Sequence, residues 1–451
     1  MGAVDSHHGD GRAARRYGVL ALVTLIYALN IADRFILSTL IEPIKAEFAL
    51  SDSAVGFLTG SALAIFYCTA GLPLGLLADR MSRRTMLAWT LAVWSVFTAL
   101  CGAAQSAGQL LIARIGVGVG EAGGTPASHS LLADYFPPTQ RIVAMSIFSL
   151  GIALGMAVGG IGGGMIAQAF GWRWSLILFA CAGAPFLLLL ALVREPPRGA
   201  FDPPRQAGGD RPGLLAALRF VRGNRALLHI LLGATIATFA GQGLVWWTPA
   251  FLARSHGFSV AEAGVHLGLM NGLGGGAALI GATLITVRLA RGGMRGQCRF
   301  LAWVTALIAL TGAAAYATDA RGAALLLLWL FVPFTSVHVG PTLALMQNMA
   351  PPDMRGSTVA LFLFAANIAG LAVAPQLIGV ASDLLAAHMA HPDQSLRATL
   401  ALSALAGLWS AWHFRAAVRA SSPGRPRRRT PIRRSSANRP GSCGRAGATP
   451  P

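Results

Sequence analysis

The stretch Gly75-Leu76-Leu77-Ala78-Asp79-Arg80-Met81-Ser82-Arg83-Arg84 places one acid and three arginines in a short bend between two apolar runs, 54–77 and 85–103. Each run reaches or approaches the roughly 20 residues a helix needs to cross ~30 Å of hydrocarbon. A bend this charged, between two such runs, belongs at a membrane surface. Working outward, ten further runs appear at 18–40, 109–133, 142–170, 173–193, 226–252, 261–287, 300–317, 323–349, 357–381 and 396–418. The expected fold is all-α, with twelve membrane spans.

Composition agrees. Of the 451 residues, 54% are apolar and 12% charged, against about 25% charged in an ordinary soluble protein. With so few charges a soluble fold cannot cover that apolar surface, and disorder demands low hydrophobicity. Arginine and lysine exceed acids by 36 to 17, and Lys45 is the only lysine. These cations occupy gaps between runs and the terminal tail, so they read as membrane-flanking charges rather than a nucleic-acid face. Arg80, Arg83, Arg84, Arg141, Arg288, Arg291, Arg295, Arg299 and Arg355 fall on one side, together with the arginines of 194–225. Lys45, Arg173, Arg254, Arg321 and Arg397 fall on the other. The positive-inside rule puts the first side, and both termini, in the cytoplasm of a bacterial inner membrane. The first run continues past Asp33 and Arg34 and reads as an uncleaved helix. The five cysteines form no CxxC pair, so no disulfide framework, metal site or cofactor is expected.

The expected layout is an arm at 1–17, six spans over 18–193, a Pro/Gly/Arg-rich loop at 194–225, six spans over 226–418 and a basic tail at 419–451. Pro137-Pro138-Thr139-Gln140-Arg141 and Pro351-Pro352-Asp353-Met354-Arg355 recur 214 positions apart at matching spans. That offset points to two parallel halves, an arrangement used by one large class of transporter.

Charge inside a membrane is expensive and marks function. Asp33, Arg34, Arg114 and Glu121 lie well within spans, all in the first half. Helical spacing puts Tyr27, Asn30, Arg34 and Ser38 on one stripe of the first span. Arg114, Glu121, Thr125 and His129 share a face of the fourth. A carboxylate parted from its arginine can take up a proton, so the quartet suits a proton-coupled carrier; a structural ion pair is the plainer reading. The second half offers Thr235, Thr238, Gln242 and Trp246 on the seventh span, and Thr335, His338 and Thr342 on the tenth. A cavity lined by Tyr27, Asn30, Thr125, Gln242, Trp246, Thr335 and His338 would suit an amphiphilic solute. Trp246 and Trp247 also read as lipid-interface aromatics.

The 75–84 bend resembles the G-x-x-x-D-R-x-G-R-R signature of the major facilitator superfamily, with Ser82 in place of the second Gly. Asn30-x-x-Asp33-Arg34-Phe35, Gly118-x-Gly120-Glu121-Ala122 and Gly171-Trp172-Arg173-Trp174 look like its Spinster-like branch. The resemblance implies twelve helices in two six-helix bundles with pseudo-twofold symmetry, rocking around a cavity lined by spans one, four, seven and ten. It implies proton coupling and substrate binding at Asp33, Arg34, Arg114 and Glu121, with a small organic or lipid-like solute. It also implies a cytoplasmic gate formed by Gly75, Asp79, Arg80, Arg83, Arg84, Asp134 and Arg141, with Asp79 facing the eleventh helix near Ser357 and the arginines meeting Asp134. No acid occupies the matching loop Arg288–Arg299, so that latch would be one-sided.

Gly151-x-x-x-Gly155 and Gly159-Gly160 resemble the superfamily's antiporter motif, but Met156 replaces its Pro, so they read as close helix packing. Gly118, Gly120 and Gly123 spell GxGxxG inside a span, with no strand before it, which excludes a dinucleotide site. His129 and Asp134 spell HxxxxD, so a membrane acyltransferase is one alternative and a non-transporting solute receptor another. The expected partners are a solute, protons and the bilayer, with anionic lipid suited to the tail arginines; the chain reads as a monomer.

Overall fold

The structure is a computed structural model and describes residues 4–78, 81–201, 213–290 and 293–421. Asp79 and Arg80, the tail arginines, and residues 202–212 of the central loop therefore lie outside the described residues. We number the spans α1 (Ala14–Thr39), α2 (Asp52–Gly71), α3 (Arg83–Ala103), α5 (Pro138–Phe170), α6 (Trp172–Ala191), α7 (Arg225–His256), α8 (Val260–Thr286), α9 (Gly293–Ala317), α10 (Arg321–Met349) and α11 (Arg355–Ala386). Two more are broken: α4 comprises Ala107–Glu121 and Gly124–Tyr135, and α12 comprises Ser395–Ala404 and Ala406–Ala420. These ten spans and the two broken ones make the twelve expected from the sequence.

Local chemistry sets the helix starts. Ser51, Ser82, Ser106, Asn224 and Ser259 each accept a hydrogen bond from the backbone N–H three residues on, which satisfies an otherwise orphaned donor. Glu262 completes a capping box with Ser259 at the head of α8. Gly257, with φ +64°, ends α7 in a left-handed turn that a side chain would strain. Two expected loops prove helical. The helix of α1 extends back to Val4. Within 194–225, Leu214–Gly223 is an amphipathic helix whose Ala217 and Val221 are buried, Val221 in one apolar cluster with Leu227 of α7.

Close packing depends on glycine. Gly151, Gly155 and Gly159 turn one face of α5 onto the α1 backbone: an added Cβ would come within 2.9, 2.4 and 2.6 Å of the Thr24, Ala28 and Ala32 carbonyl oxygens. On the other face, Gly160 and Gly164 meet Gly264 and Gly268 of α8. Helix α5 is thus clamped between its own bundle and the other, and the glycine motif acts as a packing surface.

These cross-bundle contacts all gather near one membrane face, the one carrying Lys45 and Arg254. Gly56 and Gly60 of α2 abut Pro375 of α11. Ser61 donates to the Ala372 carbonyl, and Trp246 Nε1 donates to Thr59 Oγ1 at 3.2 Å. Toward the arginine-rich face the helices part. Gly71 of α2, Gly276 and Gly281 of α8, Gly340 of α10 and Gly356 of α11 have open space where a Cβ would stand. The protein is shut at one face and splayed toward the other.

Candidate functional site

Of the four intramembrane charges, two form a direct pair. Arg34 Nε of α1 donates to Glu121 Oε2 of α4 at 2.5 Å. The Arg34 guanidinium also lies over the Tyr67 ring of α2, 4.2 Å from its centroid, a cation–π contact that fixes its plane. Glu121 sits at the break in α4, where Ala122 and Gly123 interrupt the helix. Asp33 points further into the first bundle and accepts from Thr98 Oγ1 of α3 at 2.9 Å. Arg114 lies within electrostatic reach of Asp33. Its three guanidinium nitrogens, Asp33 Oδ1 and Glu121 Oε1 are buried without a hydrogen-bond partner among the described residues.

The quartet is therefore one arginine–glutamate pair backed by a second, unpaired acid and base. Asp33, Arg114 and Glu121 are sealed inside the bundle, and only Arg34 reaches accessible surface, its side chain 14% exposed. Tyr27, Asn30 and Thr125 share a cleft with Glu121, Ser128 and Trp94. Tyr27 is stacked on Phe148 with ring centroids 4.5 Å apart.

The second-half candidates do not join that cleft. Thr335 and His338 line a separate pocket inside the second bundle, with Gly241, Thr305 and Phe331. His338 Nε2 pairs with Thr238 Oγ1 at 2.9 Å, and its Nδ1 with the Thr335 carbonyl at 3.0 Å. A short 3₁₀ turn at Val332–Phe334 interrupts α10 just before Thr335. Gln242 is half-buried, and a Cβ on Gly370 of α11 would lie 3.4 Å from its own Cβ. Trp246 and Trp247 are not lipid-facing: both are buried, Trp246 on Thr59 and Trp247 Nε1 donating to the Pro375 carbonyl at 3.1 Å.

At the arginine-rich face, Arg83 is buried between two carboxylates. It is paired with Asp134 and, through Nε at 2.7 Å, with Glu195. Its Nη2 also reaches the Pro196 carbonyl at 2.8 Å. Arg84 donates to the Val193 carbonyl at 3.2 Å, and Arg141 Nε to the Ala133 carbonyl at 2.9 Å, each capping a helix C-terminus. Gly75 lies within the helical run that ends at Ala78. These described partners all belong to the first half of the chain. Asp134 Oδ1 also accepts from the Gly199 N–H at 3.0 Å. Its carboxylate is thus taken up by Arg83 and Gly199, while His129 is exposed and packs edge-on to Phe148, which leaves no acyltransferase pair.

Glu195 was not singled out by its sequence. Burial works against its charge, but hydrogen bonds from Ser82, the Arg83 side chain and the Arg83 and Arg84 backbone N–H groups hold its pKa down to about 2. A carboxyl depressed on folding stabilises fully above its unfolded value near ~4.3, and that contribution fades as pH falls toward the folded value. Thermal unfolding of wild type should therefore lose stability relative to Glu195→Gln between about pH 4.5 and pH 2; parallel melting curves would contradict the assignment.

The shut face holds a second cluster the sequence did not announce. Asp52, at the head of α2, receives both Nη atoms of Arg254 at 2.8 Å each, Ser382 Oγ at 2.7 Å, and Lys45. Arg254 Nε also reaches Glu42 at 2.8 Å. Asp383 of α11 accepts from the backbone N–H groups of Asp52 and Ser53 at 3.0 and 2.8 Å, a carboxylate on a helix N-terminus. The other half mirrors this: Gln168 of α5, 215 positions before Asp383, accepts from the Ala261 N–H at the head of α8 at 3.1 Å. All five cations assigned to this face from the sequence are ion-paired, the other three being Arg173 with Glu47, Arg321 with Glu262 and Arg397 with Asp319.

Twelve spans in two bundles, shut at one face over a buried ion pair, define a multi-pass membrane transporter rather than an enzyme. The Major Facilitator Superfamily profile matches residues 23–375, and the chain belongs to that superfamily. A protein of Mycolicibacterium smegmatis described as an MFS-type efflux pump is 32% identical over 391 residues, covering 85% of this chain and 88% of that one. Human protein spinster homolog 1 is 34% identical over 256 residues, 54% of this chain and 47% of its own. The crystal structure of a bacterial homolog to the human lysosomal transporter Spinster, inward-facing and unoccupied, superposes with TM-score 0.79 at 25% identity, covering 90% of this chain and 97% of that one. Within the superfamily the chain is thus similar to Spinster proteins.

Proposed function

We propose that the protein is a proton-coupled secondary carrier of an amphiphilic organic solute, working by alternating access. The observation that carries this reading is the Arg34–Glu121 pair, in which Arg34 alone of the four charges reaches accessible surface. An anionic headgroup arriving at Arg34 competes with Glu121 for the guanidinium. Released from Arg34, Glu121 is a buried carboxylate near Arg114 only, whose charge is offset by Asp33, and taking a proton relieves that. Solute and proton thereby act on one bond. Exposed Ile65 and Phe66 of α2 and Leu363 and Phe364 of α11 supply apolar surface on the splayed halves for a hydrocarbon tail. Likeness over half the chain to a Danio rerio sphingosine-1-phosphate transporter, 29% identical, supports a lipid-like solute.

The arginine-rich face is assigned to the cytoplasm, with both termini there, in the inner membrane of a bacterium. In this reading 18–193 and 226–418 are the two moving bodies, and the loop carrying Asp79 is the cytoplasmic gate. The test is uptake of an NBD-labelled single-chain phospholipid into proteoliposomes under an imposed pH gradient. Accumulation that collapses with a protonophore is expected. Movement no faster than in protein-free liposomes, or indifferent to the protonophore, would contradict the proposal. Counterflow of unlabelled against labelled lipid separates a carrier from a receptor that only binds.

A further inference from the structure

At the arginine-rich face a groove runs between the start of α1 and the end of α6. Arg15, Gly18 and Leu22 line one wall, and Leu189, Leu192 and Arg194 the other. Arg15 and Arg194 are exposed, and neither guanidinium has an ion-pair or hydrogen-bond partner among the described residues. No acid lines the groove: Glu195, next in sequence, is occupied by Ser82, Arg83 and Arg84. Below the arginines the walls are apolar and open to the bilayer, with Leu192 78% exposed. Gly18 leaves open space where a side chain would stand.

We propose that this groove binds an anionic phospholipid of the bilayer, its phosphate held between Arg15 and Arg194 and its first acyl methylenes lying along Leu22, Leu189 and Leu192. Two unpaired guanidiniums at the depth where headgroups sit attract anionic lipid and bind phosphate oxygens through forked, charge-assisted hydrogen bonds. The apolar walls beneath favour a lipid over a free anion. The site also abuts the Arg83 cluster. The Arg194 carbonyl accepts from the Tyr135 hydroxyl, and Arg84 is bonded to the Val193 carbonyl. A lipid seated here steadies the segment that holds Arg83 in place. The binding proposal needs only the membrane fold and is independent of the transported solute.

Native mass spectrometry of the purified protein equilibrated with dioleoylphosphatidylglycerol and dioleoylphosphatidylcholine tests it. Wild type is expected to retain phosphatidylglycerol preferentially, and Arg15→Gln/Arg194→Gln to lose roughly tenfold of that retention. Arg219→Gln/Arg222→Gln, which removes the same charge from exposed positions on the helix at 214–223, should retain it. Gly18→Leu fills the groove without altering charge and should also weaken retention; its melting temperature in phosphatidylcholine, alongside that of the double variant, reports folding. Equal losses from the two arginine pairs, full retention in Arg15→Gln/Arg194→Gln, or displacement of the lipid by excess inorganic phosphate would overturn the proposal.

Discussion

Arg34→Met/Glu121→Leu is expected to fold as wild type does yet carry solute at least ~100-fold more slowly, while Arg34→Met alone loses both transport and stability. Removing one partner strands a carboxylate in a dry bundle, a loss of about 3–5 kcal/mol; replacing both with apolar groups of similar volume is often neutral. The double variant therefore separates two roles that single variants confuse. A structural pair would survive the swap with transport intact, because its only task is to fill space between α1 and α4. A coupling pair cannot, because its function is to break and reform. Arg34→Lys should fall between, keeping charge while losing the planar contact with Tyr67. Uptake in proteoliposomes and thermal unfolding in detergent give the two readings. Near-wild-type transport by the double variant would remove Arg34–Glu121 from the mechanism.

The second large effect concerns the shut face. Asp52→Asn takes charge from the centre of a cluster formed by Arg254, Lys45 and Ser382, and weakens the only bidentate arginine contact across the bundles among the described residues. Arg254 keeps Glu42 and is partly exposed, so the loss is set at about 2–3 kcal/mol, below that of a fully buried pair. That would raise the population open at this face on the order of 30- to 150-fold. Gly264→Val should act in the same direction by a steric route, since its Cβ would lie 2.3 Å from the Gly160 carbonyl oxygen and force α5 and α8 apart. Spin labels at Ala46 and Ala387 report the separation; an unchanged distance distribution in both variants would show that neither contact holds the face closed.

Much of the fold was legible because each span must satisfy a length imposed by the bilayer, and apolar length can be counted. The helix at 214–223 was missed because Pro, Gly and Arg nearby masked the apolar spacing of Leu214, Leu218 and Val221. Within the site, the intramembrane charges stood out because charge is costly there. Asp52, Asp383 and Glu195 did not, because they sit at span ends where charge is commonplace; their importance lies in partners far away in the sequence, 111–113 positions for Glu195 and 202–331 for the contacts of Asp52 and Asp383 across the bundles. One signal was present: Gln168 and Asp383 repeat at nearly the interval of the two Pro-Pro motifs. Thr335 and His338 of the tenth span do line one pocket, but it is separate from the cleft at Glu121, a separation that spacing within one span cannot show. The lipid-interface reading of Trp246 and Trp247 failed because depth in the membrane says nothing about which side of a helix meets lipid.

The most direct measurement is a pair of distances in one protein in nanodiscs, Ala46 to Ala387 across the shut face and Thr139 to Asp353 across the splayed one, followed as pH is varied. Alternating access predicts opposed populations: as the first distance lengthens, the second shortens, and Glu121→Gln abolishes the response to pH. Distances that change independently, or that ignore both pH and the substitution, would contradict a carrier in which the Arg34–Glu121 bond is tied to the movement of the two bundles.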